Sequence, residues 1–89
     1  GLGVQLGCHP GETAILSAAG RHVACRLDGI RYLEGSYDRH ILRSNVTTAD
    51  LTFGYGGWAS PIVGPGLGVD VDPALLAAMT TETREIDHA

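Results

Sequence analysis

The hydrophobic and polar positions fall into the same pattern twice. Gly3-Val4-Gln5-Leu6-Gly7 alternates apolar with small or polar residues, then meets His9-Pro10-Gly11, which ends a strand in a tight loop. From Glu12 to about Cys25 the apolar residues Ile15, Leu16, Ala18, Ala19, Val23 and Ala24 recur at helical spacing, with Glu12 near the positive end of the helix dipole. Asp28-Gly29 is a turn signal. Behind it Ile30-Arg31-Tyr32-Leu33-Glu34 is a β-prone run that stops at Gly35. Residues 37–44 place Ile41 and Leu42 four and five positions after Tyr37, as one side of a short helix does.

Two strand–helix units in succession predict an α/β fold with a parallel sheet, because parallel strands need a crossover that is usually helical. Two units cannot close a barrel, so the remaining strands are expected from elsewhere. The pattern then changes. Leu51-Thr52-Phe53-Gly54-Tyr55 and Gly68-Val69-Asp70-Val71-Asp72 read as short strands flanking an irregular Gly/Pro segment, Gly56–Gly66. Asp72-Pro73 supplies an N-cap and a first-turn proline for a helix reaching about Met79. The last ten residues are polar and are expected to fray.

Composition narrows the function. Eighty-nine residues bury only about 60–65% of the unfolded chain's surface, too little for a large enclosed site. Net charge is −4, with six arginines, no lysine and no basic run, so a nucleic-acid footprint is absent. No apolar stretch approaches the ~20 residues that span a bilayer. The start at Gly1-Leu2-Gly3-Val4 has neither methionine nor a charged leader region, and reads as an interior position. Cys8 and Cys25 are too few for a disulfide framework, though they allow one bridge. Free thiols in a reducing cytoplasm are the simpler expectation.

The residue blocks carry a resemblance. Leu6-Gly7-Cys8-His9-Pro10-Gly11-Glu12-Thr13, Leu16-Ser17-Ala18-Ala19-Gly20-Arg21-His22, Tyr32-Leu33-Glu34-Gly35-Ser36-Tyr37-Asp38-Arg39 and Gly64-Pro65-Gly66-Leu67-Gly68-Val69 together resemble the end of enolase-superfamily enzymes of the mandelate racemase and muconate-lactonizing type. The resemblance covers roughly residues 3–72. It implies the C-terminal portion of a modified (β/α)8 TIM barrel with a capping domain. Residues 1–49 correspond to its last two strand–helix units, and residues 50–89 to the return segment that packs on the capping domain, ending in the frayed tail.

The reaction so implied removes the proton next to a carboxylate, with Mg²⁺ stabilising the enediolate and a lysine or histidine as base. Such a proton is weakly acidic, so the metal must offset the developing charge. In the muconate-lactonizing subgroup the lysines lie on the second and sixth strands, and the carboxylates that hold the metal on the third to fifth. All five positions precede this stretch, so neither the catalytic bases nor the Mg²⁺ ligands are expected within it, and the chain alone is expected to be inactive. The implied partners are the rest of the barrel and the capping domain, a small carboxylate substrate, and further copies in a homo-oligomer of the full-length protein.

Substrate recognition is what remains for this stretch, because barrel active sites lie at the C-terminal ends of the strands. By that rule Cys8, His9 and Glu12 after the first strand, and Glu34, Ser36 and Asp38 after the second, face the site. Each has a purely structural counterpart: an acid early in a helix for Glu12, a solvated loop with an N-cap for Glu34 and Asp38. Cys8, His9, His22 and Cys25 are zinc-ligand types, but no recognised zinc spacing is met, and cysteine is more often a small buried hydrophobe. Gly64–Gly68 lacks the P-loop order and reads as a rigid turn. Phe53, Tyr55 and Trp58 beside Gly56-Gly57 form an apolar contact surface. The alternative to an enzyme piece is a non-catalytic α/β module that completes a barrel with another chain.

Overall fold

A computed structural model describes residues 1–35 and 37–87. Strand β1 (Val4–Leu6) leads through the His9-Pro10-Gly11 loop into helix α1 (Ala14–Ala24), and strand β2 (Ile30–Leu33) returns beside β1. The two strands are parallel, pairing Val4 with Ile30, Gln5 with Tyr32 and Leu6 with Leu33, with an irregularity between Val4 and Gln5 that leaves Arg31 unmatched. Gly29 at φ 76° turns the chain into β2, and its carbonyl accepts from Val4 N at 3.3 Å. This is one strand–helix–strand crossover, as the alternation of patterns predicts.

The second unit is shorter than its pattern suggests. Helix α2 spans only Asp38–Ile41, with Tyr37 before it in the left-handed region (φ 59°) and Leu42 extended after it. Asn45 is the reason it stops. Its Oδ1 accepts from Ala14 N at 2.8 Å, satisfying one of the orphan donors at the start of α1, and from Val46 N at 2.9 Å. Helix α1 has no cap from its own Thr13 side chain, so a residue 31 positions downstream does that work. A helix continuing to residue 44 would carry Asn45 away from it.

The expected strand pair in the return segment is a correction. Residues 51–55 form no strand; they lead into a single 3₁₀ turn at Tyr55–Gly57, and residues 68–72 contribute only a bridge, Thr47 antiparallel to Val71, flanked by Thr48 N to Asp70 O at 3.0 Å and Asp72 N to Val46 O at 2.8 Å. Alternating apolar residues were present, but the Leu51 and Ser60 carbonyls go to the Arg21 guanidinium rather than to a ladder. Gly64–Gly68 is the expected turn, closed by Gly68 N to Pro65 O at 3.0 Å. Helix α3 (Pro73–Met79) starts as expected: Asp72 accepts from Ala74 N at 2.8 Å and Leu75 N at 3.1 Å.

Packing is thin on the apolar side. The buried hydrophobic residues are Ala14, Ala18 and Val46, whereas Arg21, Asp38 and Thr47 are buried polar groups, so the interior is held mainly by hydrogen bonds. The accessible surface is 7175 Å², against about 5,000 Å² for a self-contained monomer of this mass. The radius of gyration is 14.9 Å, against about 12 Å. Parallel sheets are normally covered on both faces, yet Tyr32 in the middle of β2 is 69% exposed. Among the described residues no helix is long and apolar enough to cross a membrane.

Candidate functional site

The C-terminal ends of β1 and β2 lie side by side, and the residues that follow them are tied across the gap. Glu34 N donates to Leu6 O at 3.1 Å, extending the ladder by one step. The Glu34 carboxylate then accepts from Gln5 Nε2 at 2.5 Å on one oxygen and from Cys8 N at 3.3 Å on the other. The Cys8 thiol donates to Gly35 O at 2.8 Å. Glu12 closes the preceding loop, accepting from His9 N at 2.7 Å while its own N–H donates to His9 O at 3.3 Å.

These contacts place Cys8, Glu12 and Glu34 around one cleft of about 30 Å³ between the sheet ends and α1, with Leu6, Arg21 and Phe53 among the other lining residues. Partial burial, then the nearby carboxylates of Glu12 and Glu34, push the Cys8 thiol up from its ordinary pKa. At neutral pH it is a hydrogen-bond donor and a poor nucleophile. Leu33, Gly35 and Phe53 also line a larger open hollow of about 310 Å³, where Tyr37 and His40 stack with ring centroids 4.4 Å apart.

The other candidates fall elsewhere. His9 is exposed and does not line the cleft. Asp38 turns inward: its carboxylate accepts from Arg39 N at 2.9 Å, from Asn45 Nδ2 at 3.2 Å and from the Thr52 hydroxyl at 3.2 and 3.3 Å. It ties α2 to the return segment and lines the larger hollow rather than the cleft. Ser36 lies outside the described residues. Glu12 stands one residue before the N-cap Thr13, so α1 has no acid in its first turn, and the Glu12 carboxylate bonds His9 N instead. Both cysteines are free, Cys25 is exposed rather than buried, and His22 Nε2 lies 2.9 Å from Leu67 O. The described residues bring together no three His, Cys, Asp or Glu side chains placed to hold a metal ion.

Two further residues that line the cleft, Arg21 and Phe53, and one that bonds its Glu34 from outside, Gln5, are not marked by the hydrophobic pattern. Gln5 is the polar residue in the middle of β1, and its alternation with Leu6 puts it on the sheet face away from α1. Arg21 follows Ala14 and Ala18 at i+7 and i+3, so it continues the buried stripe of α1, and its charge disguised that. Phe53 does not share the surroundings of Tyr55 and Trp58, which are fully or largely exposed. Instead its ring lies 5.2 Å from the Arg21 guanidinium carbon and against Gly35, where a Cβ would come within 3.1 Å of it. No protein-family model, curated protein or solved structure matches this chain.

Proposed function

We propose that this chain is the C-terminal part of a Mg²⁺-dependent racemase, epimerase or cycloisomerase that removes the α-proton of a small carboxylate substrate. In this reading β1 and β2 are the last two strands of a (β/α)8 barrel, and residues 50–89 are the return to a capping domain. The observation that carries it is the pairing of β1 and β2 as adjacent parallel strands whose C-terminal ends gather Cys8, Glu12 and Glu34. That is where a barrel keeps its substrate groups. The excess surface, of the order of 2,000 Å², matches what one partner buries in an obligate interface.

The residues described here do not make a Mg²⁺ site, so no step through the ion is assigned to them. Glu12 and Glu34 have acceptor oxygens to offer a substrate N–H or O–H, while the single proton of the Cys8 thiol is taken by Gly35 O. The test is two-fold. The polypeptide containing this stretch should carry a Lys-x-Lys pair, three spaced carboxylates and a further lysine ahead of Gly1, and should exchange the α-proton of a carboxylate in deuterated water only with Mg²⁺ present. A preceding sequence without those residues ends the enzyme reading.

The same uncovered surface favours a second reading, a non-catalytic module that completes a barrel with another chain. Solution mass separates the two. A stable complex of the 9.3 kDa chain with a second, different polypeptide supports the module, whereas aggregation of the chain on its own through the uncovered sheet supports a severed barrel piece; a well-folded monomer supports neither.

A further inference from the structure

Two polar atoms of α1 are buried without a protein partner among the described residues: Ser17 Oγ and Arg21 Nε. They lie four residues apart, on one face of the helix. Both residues line the strand-end cleft, together with the carboxylates of Glu12 and Glu34. Arg21 is only 8% exposed. Its other two nitrogens donate to the Leu51 and Ser60 carbonyls, and the described residues supply it no carboxylate within salt-bridge range. A buried guanidinium with an idle N–H and no counter-charge in contact is costly unless something links it to one.

The cleft has room for such a link and is too small for much else. Its volume of about 30 Å³ exceeds the roughly 10–15 Å³ that one water needs and is far below that of a drug-sized ligand. Gly20 sits in the same wall. Its backbone does not require glycine, and a Cβ added there would meet nothing within 4 Å, so the absent side chain leaves open space. Glycine in a helix interior is unfavourable relative to alanine, which makes that space a feature with a cost.

We infer that the cleft holds one resident water, which accepts from Arg21 Nε–H, bonds the Ser17 hydroxyl, and donates to the carboxylate of Glu12 or Glu34. The buried cation is thereby joined to the cleft acids through solvent rather than by direct contact. A water with three polar partners is the usual way such groups are satisfied. The inference rests on the cleft alone and stands or falls separately from the enzyme reading.

Two measurements test it. Ser17→Ala separates a bonded hydroxyl from an idle one by sign. Alanine is the better helix former, and deleting an unsatisfied buried hydroxyl is stabilising, so an idle Ser17 gives an unchanged or higher melting midpoint, which overturns the proposal. A water-bonded Ser17 gives a lower one, by about 4 °C. A crystal structure of the unaltered protein supplies the second reading and needs no variant to fold. One ordered water within 3.5 Å of both Ser17 Oγ and Arg21 Nε supports the site; a dry cleft, or Arg21 paired directly with Glu12 or Glu34, removes it.

Discussion

Asn45→Ala is the substitution with the sharpest structural expectation. The side chain gives an acceptor to Ala14 N and Val46 N and a donor to the Asp38 carboxylate, so its loss strikes the start of α1 and the return segment together. Losing a helix cap costs about 1 kcal/mol, and losing a hydrogen bond to a charged group about 1.5–3 kcal/mol. Asn45 is half-buried, so water recovers part, and we expect a net loss of about 2–3 kcal/mol. With a urea m-value of about 1.2 kcal/mol/M, the midpoint falls by about 2 M while m stays constant. Asn45→Asp is the informative companion. It keeps the cap acceptor but replaces the donor facing Asp38 with a like charge, so it should be less stable than the parent at pH 7. A loss under ~0.5 kcal/mol for Asn45→Ala, or an Asn45→Asp protein as stable as the parent at pH 7, refutes the shared-cap account.

Gly68→Ala should be severe, because Gly68 has φ +68° and a Cβ would stand 2.7 Å from Ile62 Cγ2 and 2.8 Å from the Val63 carbonyl oxygen; left-handed strain alone costs ~1–2 kcal/mol, and a melting midpoint within a degree of the parent would show the turn is not built this way. Asp50 predicts a pH dependence: the Thr52 hydroxyl and backbone N–H, then Arg39, hold its carboxyl at about 2, below the ordinary 3.8. That hydroxyl has one proton and also reaches Asp38, so the Thr52 N–H at 2.9 Å and Arg39 at 2.6 Å are the firmer causes. A lowered folded pKa means stability that is complete above pH 4 and lost as pH falls toward 2; at 63% side-chain exposure the amount is under ~1 kcal/mol, and Asp50→Asn should remove that part of the acid titration curve.

Much of the element order was legible in the residues. Alternation in 3–7, helical spacing in 12–25, the β-prone run 30–34 and Asp72-Pro73 each depend on local chemistry, and they became β1, α1, β2 and the start of α3 within one or two residues. The return segment departs from its pattern because Leu51–Tyr55 alternates like a strand, and alternation does not say whether a neighbouring strand is there to bond it. Of the site candidates, Cys8, Glu12 and Glu34 line one cleft beside the strand ends, where their places just after the strand patterns put them. Asp38 has the same position in the pattern yet turns inward, because Asn45 and Thr52 offer it donors from parts of the chain that local reading cannot connect.

The sequence by itself determined where the chain turns, which runs can be strands or helices, and which residue types stand at the ends of the strands, since those depend on neighbours within a few positions. Tertiary structure decided that Asn45 caps a helix 31 residues away, that Arg21 is an interior residue gripping two carbonyls and Phe53, and that Cys8, Glu12 and Glu34 share one cleft while His9 and Asp38 do not. The physical reason is common to all three. A polar group's role is set by which donors and acceptors surround it once water is gone, and those partners arrive only when distant segments meet.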